Sequence, residues 1–217
     1  MNQARVRVRV AGIDDDTIMR DGLPLLLREH DVVATFATVT DFLDTTPQVD
    51  VVLLDLKLAG TGRFGAPQGQ AAVRAVTDAG YRVLVYTNER RRAVLVGCLA
   101  AGALGVVHKA EPLSALADAV SRVADDQVVI TQALTGLAEL AERRGQLPHL
   151  SPRQREVLAG RARGESFAGI AARLYITPKT AEEHMRKVTD KFAEYLRDHS
   201  PADLERHLGL EPPHLTE

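Results

Sequence analysis

Asp50–Gly60 reads DVVLLDLKLAG, and its reading decides the fold. Four apolar residues in a row, Val51-Val52-Leu53-Leu54, stop at Asp55, and a loop follows. A short, continuous apolar run bounded by a turn is the pattern of a strand buried on both faces. An acid at the end of such a strand stands at the carboxyl edge of the sheet, where open α/β folds hold their ligands. Alone, the aspartate reads equally as a helix N-cap or a solvated turn residue. Three further stretches weigh against that.

In the first, Val6, Val8 and Val10 alternate with Arg5, Arg7 and Arg9 and run through Ile13 into Asp14-Asp15-Asp16. Adjacent like charges at a strand end are unfavourable unless something positive sits there, and a hard divalent cation with oxygen ligands meets that need. The second, Val83-Leu84-Val85-Tyr86-Thr87, ends in a hydroxyl, and the third, Gly105-Val106-Val107-His108-Lys109, ends in an ammonium. If the sheet is parallel, carboxylates, hydroxyl and ammonium converge on one edge. That set suits a magnesium ion and a phosphoryl group on Asp55.

These positions resemble the receiver domain of two-component response regulators. Asp14-Asp15-Asp16-Thr17-Ile18-Met19-Arg20-Asp21-Gly22-Leu23 fits that family's acidic pair and following helix. Leu150–Phe192 resembles the LuxR-type helix-turn-helix of the NarL/FixJ subfamily. The residues that carry this second likeness are Leu150-Ser151-Pro152-Arg153, Gly164, Ile170-Ala171, Leu174, Ile176, Thr180, His184, Val188 and Lys191. The expected architecture is α/β: a flavodoxin-like, doubly wound five-stranded parallel sheet, followed by a small all-α helix-turn-helix domain. The expected domains are a receiver over 1–124, a linker over 125–148 and a DNA-binding domain over 149–217.

Composition fits two ordinary domains. The 217 residues are 45% hydrophobic and 26% charged, without tryptophan. The net charge of −2 gives no sign of nucleic acid, but it is unevenly spread. Residues 149–200 hold ten Lys and Arg against seven Asp and Glu, a surplus of three positive charges. That asymmetry favours a nucleic-acid module towards the C-terminus. A single cysteine, Cys98, excludes an internal disulfide or a multi-cysteine metal site. The polar, alternating start MNQARVRVRV is not a signal peptide, and no run approaches a membrane span, so the expected location is the cytoplasm.

Along the chain, strands are expected at Arg5–Ile13, Val32–Phe36, Asp50–Leu54, Arg82–Tyr86 and Leu104–His108. Helices are expected near Ile18–Glu29, Val39–Asp44, Gln70–Ala79, Arg91–Ala101 and Leu113–Ala124. Such alternation implies right-handed crossovers and a parallel sheet. The Gly-rich stretch Gly60–Gly69 does not match a P-loop and reads as a surface loop bordering the site, with a lid as the other reading. Thr135–Arg144 reads as a linker helix, either packed or solvated.

Ser151-Pro152 is a helix start, with serine as N-cap and proline at the first position. Helices are expected to about Arg163, over Phe167–Leu174 and over Lys179–Phe192, the last capped by Thr177. In such motifs the last helix enters the major groove. The candidate DNA contacts are Lys179, Thr180, Glu183, Arg186 and Lys187. Glu182 and Glu183 weaken the phosphate attraction of that helix, and His184 reads as a buried residue that orients it. Pro201–Leu210 reads as a final amphipathic helix, and Glu211–Glu217 as a disordered tail.

The receiver resemblance implies that Asp55 takes a phosphoryl group from a partner sensor histidine kinase. It implies Mg²⁺ held by Asp15, Asp55 and the carbonyl of Lys57, with Asp14 as outer partner. Lys109 pairs with a phosphoryl oxygen, and the Thr87 hydroxyl acts as the switch. Phosphorylation then controls homodimerisation and binding to double-stranded promoter DNA. The chain is not expected to be an enzyme beyond weak self-catalysed phosphorylation and dephosphorylation. Three family features are absent: the β-strand aromatic is Val106, Ala110 follows Lys109 where proline is usual, and Ala59 replaces another proline. Two other readings stay open: a receiver controlled by ligand or partner without phosphorylation, and a phosphotransfer enzyme of receiver fold. A haloacid-dehalogenase-type enzyme needs an aspartate two residues after the nucleophile, where this chain has Lys57.

Overall fold

The computed structural model describes residues 7–58, 67–145, 150–199, 203, 206 and 207. Most of the Gly60–Gly69 loop, most of the expected Pro201–Leu210 helix and the tail lie outside the described residues, as does Ala59. The contacts divide the chain into two compact units, residues 1–89 with 101–129 and residues 90–100 with 130–217.

The first unit carries the sheet. Its strands are β1 (Arg9–Ile13), β2 (Asp31–Phe36), β3 (Val51–Leu54), β4 (Val83–Thr87) and β5 (Gly105–His108). They pair in parallel in the order β2-β1-β3-β4-β5. A two-residue strand, β6 (Val129–Ile130), extends the sheet beyond β5, where the Val129 amide donates to the Leu104 carbonyl at 2.7 Å. So short a strand has no alternation to read in sequence, and the expected connector conceals it.

Between the strands run α1 (Thr17–Leu26), α2 (Val39–Thr45), α3 (Gly69–Asp78) and α5 (Leu113–Ala124). The strand alternation sends Val10, Val51, Leu53, Leu84, Tyr86 and Val107 to one face, with Leu23 of α1, Leu27 at its C-cap, and Leu116, Val120 and Val123 of α5. The central strands β3 and β4 are buried at every residue, as a sheet covered on both faces requires. Gly12 permits the close approach of α1 to β1: a Cβ there would stand 2.5 Å from Leu23 Cδ2.

The second unit contains α4 (Arg92–Ala100), which links β4 to β5 in sequence and in which Cys98 is buried. It also holds α6 (Gln132–Arg143), α7 (Pro152–Ala162), α8 (Phe167–Leu174) and α9 (Pro178–Asp198). Helix α6 is tied to α7 by Glu142 Oε1 and Arg155 Nε at 2.7 Å, so it is packed rather than a solvated connector. Ser151 caps α7 in a capping box whose second member is Gln154. Thr177 caps α9, with Pro178 in its first turn. Helix α9 runs six residues beyond the expected end at Phe192, because Ala193 and Tyr195 continue its buried stripe. Among the described residues no helix is long and apolar enough to cross a membrane.

Candidate functional site

Register brings the polar groups together. Ile13 pairs with Leu54, so β1 and β3 end side by side and deliver Asp14 and Asp55 to one edge. The Asp55 amide donates to the Ile13 carbonyl at 2.9 Å, which carries the pairing into the loop. Thr87 pairs with His108, and the Lys109 amide donates to the Thr87 carbonyl at 2.8 Å. Four strands therefore end at one edge, the ligand-binding side of open α/β sheets.

Asp55 is 8% exposed. Its Oδ1 accepts from the Leu56 amide at 2.8 Å, and its Oδ2 from Lys109 Nζ at 3.2 Å. Asp14 is similarly enclosed. Its Oδ1 accepts from the Asp16 amide at 2.9 Å, and its Oδ2 from Lys109 Nζ at 2.8 Å. Asp15 completes the set: one carboxylate oxygen from each of Asp14, Asp15 and Asp55 lies within 4.8 Å of the others. Asp16 stands outside it as the N-cap of α1, accepting from the Ile18 amide at 2.8 Å.

Burial alone would lower the pKa of Lys109, but the hydrogen bond to Asp14 and the charges of Asp55 and Asp14 outweigh it. The ammonium is held above the ordinary lysine range. The Tyr86 ring lies beneath it, with its centroid 5.8 Å from Nζ, inside cation–π range. Burial raises the Tyr86 phenol above its ordinary value, with the Lys109 charge opposing. Thr87 is fully buried, and its Oγ1 accepts from the Glu89 amide at 3.2 Å. The Lys57 side chain is exposed two residues past Asp55. Val106 is buried within β5, and the Lys109–Ala110 peptide is trans.

Two groups that sequence reasoning passes over belong to this edge. Tyr86 reads there only as a core residue of β4. Arg20 reads there only as one letter of a matched string, yet its guanidinium reaches back to the acidic loop. The helical spacing of Arg20, four residues after Asp16, is the one available signal.

In the second unit, α8 and α9 flank a turn at Tyr175–Thr177, the arrangement of a helix-turn-helix. Ala181, Met185, Val188 and Phe192 are buried along α9, while Lys179, Glu183, Arg186 and Lys187 are exposed. Spacings of four, seven and eight residues put those four on one face. Thr180 is half-buried, and its hydroxyl lies 2.8 Å from that of Thr177, inside the cap. His184 is half-buried rather than enclosed.

Residues 148–194 match the family described as bacterial regulatory proteins of the luxR family. Over 193 residues the chain is 30% identical to the probable transcriptional regulatory protein NarL of Mycobacterium tuberculosis H37Rv, covering 85% of this chain and 88% of that one. It belongs to the NarL/FixJ-type response regulators. The nitrate/nitrite response regulator homologue of Haemophilus influenzae is 29% identical over 85% of this regulator and 90% of its own length. RcsB of Salmonella enterica serovar Typhimurium, solved bound to a promoter with the phosphomimetic BeF₃⁻, shares the fold. Its TM-score is 0.54 at 20% identity, over 93% of this chain and 98% of that one. The regulator is thus a DNA-binding transcriptional response regulator with a receiver-like sheet and a helical DNA-binding domain.

Proposed function

We propose that Asp55 is the phosphoacceptor of this regulator, and that its phosphorylation by a sensor histidine kinase controls dimerisation and binding to promoter DNA. The observation that carries the reading is the single ammonium of Lys109 shared between Asp14 and Asp55 at the end of the central strand. A carboxylate oxygen is the nucleophile that this chemistry needs, and the Lys109 ammonium 3.2 Å away holds it in place. One Asp55 oxygen attacks the phosphorus of a phosphohistidine. The P–N bond breaks with its electron pair returning to the imidazole, and an acyl phosphate forms. Such transfers depend on positioning and charge stabilisation rather than on elaborate covalent chemistry.

Three carboxylate oxygens within 4.8 Å of one another form a hard-oxygen donor set that fits Mg²⁺. Asp14, Asp15, Asp55 and the carbonyl of Lys57 would hold the ion, which would supply positive charge to offset that of phosphoryl oxygens. Lys109 would turn from the Asp14 and Asp55 carboxylates to the new phosphoryl group. The Thr87 hydroxyl, one strand away, would leave the Glu89 amide to meet it.

Under this reading residues 1–124 are the receiver, 125–148 the linker and 149–217 the DNA-binding domain. Lys179, Thr180, Glu183, Arg186 and Lys187 are assigned to the DNA. Arginine and lysine suit guanine edges or phosphates, and glutamate suits a cytosine amino group. The deciding experiment exposes wild type and Asp55→Asn to Mg²⁺ with beryllofluoride, read by calorimetry and light scattering. Binding and dimerisation by wild type alone are expected. A folded wild type that binds neither would leave regulation to a ligand or partner instead, a reading that the buried Val106 in place of a switch aromatic favours.

A further inference from the structure

Arg20 lies one turn into α1, and three of its guanidinium bonds run backwards along the chain. Nη1 donates to the carbonyl oxygens of Asp14 and Asp15, both at 2.8 Å, and Nη2 donates to Thr17 Oγ1 at 3.0 Å. The side chain also lines the small cavity shared by Asp14, Asp55, Met19, Leu23 and Tyr86. These bonds run to backbone carbonyls and a hydroxyl rather than to carboxylates.

Two consecutive carbonyls drawn to one nitrogen is a costly loop conformation by itself. Their dipoles lie side by side, and the three acids Asp14, Asp15 and Asp16 add mutual repulsion. A cation placed behind the loop opposes both effects. It also fixes two successive peptide planes, and so the directions in which the side chains of Asp14 and Asp15 leave the backbone. Asp14 receives a second restraint from the Asp16 amide, and Asp16 caps the helix that carries Arg20. Helix, arginine and acidic loop therefore form one closed set of bonds.

We propose that Arg20 is the positioning residue of the cation site. It sets the affinity for a divalent ion through the backbone of Asp14 and Asp15, touching neither the ion nor the phosphoryl group. The inference rests on the reading of Asp14, Asp15 and Asp55 as the Mg²⁺ site. Geometry, not charge alone, does the positioning. A planar fork spans two carbonyls and a hydroxyl at once, which a lysine ammonium does not. Groups that orient metal ligands from behind typically change metal affinity by about 10- to 100-fold when removed.

The test is calorimetric titration of the full chain with Mg²⁺ alone, alongside urea unfolding without Mg²⁺. Arg20→Lys and Arg20→Gln are both expected to bind Mg²⁺ about 10- to 100-fold more weakly than wild type. Wild-type affinity in Arg20→Lys, with loss only in Arg20→Gln, would reduce the residue to a point charge and overturn the proposal. Equal affinity in all three overturns it as well. A folded wild type that binds no Mg²⁺ overturns the cation-site reading instead, and the two failures are thereby distinct. Should both Arg20 variants fail to fold, Thr17→Val removes one anchor of the fork. A loss of about 2- to 10-fold is then expected, the worth of one hydrogen bond, and an unchanged affinity overturns the proposal.

Discussion

Lys109 Nζ stands 2.8 Å from Asp14 Oδ2 and 3.2 Å from Asp55 Oδ2, so one ammonium neutralises carboxylates delivered by two different strands. The lysine side chain is 13% exposed, and the pairs are only lightly screened. Removing it leaves two enclosed carboxylates facing each other without a cation. Lys109→Met should therefore destabilise the chain by about 2–4 kcal/mol without divalent ions, near the cost of breaking a buried pair. Mg²⁺ should restore part of that loss by supplying the missing charge. Urea unfolding with and without Mg²⁺ reads both effects, and an identical loss in the two conditions would contradict the shared-cation reading.

Arg186 is exposed on α9, on the face that also presents Lys179, Glu183 and Lys187. The opposite face packs through Met185 and Val188, so truncating Arg186 disturbs no core. Arg186→Ala should weaken DNA binding and leave Asp55 labelling unchanged. If the arginine meets a phosphate, the slope of log affinity against log salt should fall by about one, equally for specific and random DNA. If it meets a guanine, specificity at one base pair should relax at a cost of about 1–3 kcal/mol. An unchanged affinity at low salt would remove Arg186 from the interface.

Much of this edge is legible in the sequence because side chains make it. Apolar runs mark the strands, and the residue after each run marks the edge, so Asp14, Asp55, Thr87 and Lys109 can be placed from spacing alone. What escapes is written in backbone. Two of the partners of Arg20 are carbonyls, which every residue possesses and no motif displays. The strand at Val129–Ile130 is too short to have a period. The length of α9 escapes for another reason. Ala193 and Tyr195 extend its buried stripe past Phe192, but a lone tyrosine and alanine among charged residues look like an ending. The face of α9 is legible, whereas the engagement of Thr180 with the cap hydroxyl of Thr177 is not.

Tyr175 closes α8 in the left-handed region, at φ 56° and ψ 44°, and the residue is 96% exposed. That backbone costs an L-residue other than Gly or Asn roughly 1–2 kcal/mol, and here no burial of the ring offsets it. Tyr175→Asn should stabilise the DNA-binding unit by up to about 1 kcal/mol, visible as a higher unfolding midpoint. Glycine should gain less, because it adds entropy to the unfolded chain, by roughly 0.4–1 kcal/mol. A loss of stability in the asparagine variant would mean that the phenol supports the turn despite its exposure.

Glu165, between α7 and α8, gathers two arginines on one carboxylate. Its Oε1 accepts from Arg163 Nη2 at 2.7 Å, and its Oε2 from Arg173 Nη2 at 3.0 Å. The hydrogen bond from Arg163, then that from Arg173, holds its carboxyl below the ordinary glutamate range. A group whose pKa is lower folded than unfolded stabilises the fold above its unfolded value, about 4.3. That contribution disappears as the pH falls through the lower, folded value. Wild type should thus exceed Glu165→Gln in stability at pH 7, and the gap should close progressively below about pH 4. Raised salt should narrow the gap at pH 7, because the pairs are solvent-accessible. Paired urea titrations at pH 7 and pH 3 provide the measurement. A gap that persists unchanged at pH 3 would mean that the glutamine costs stability through geometry, with the carboxylate charge contributing nothing.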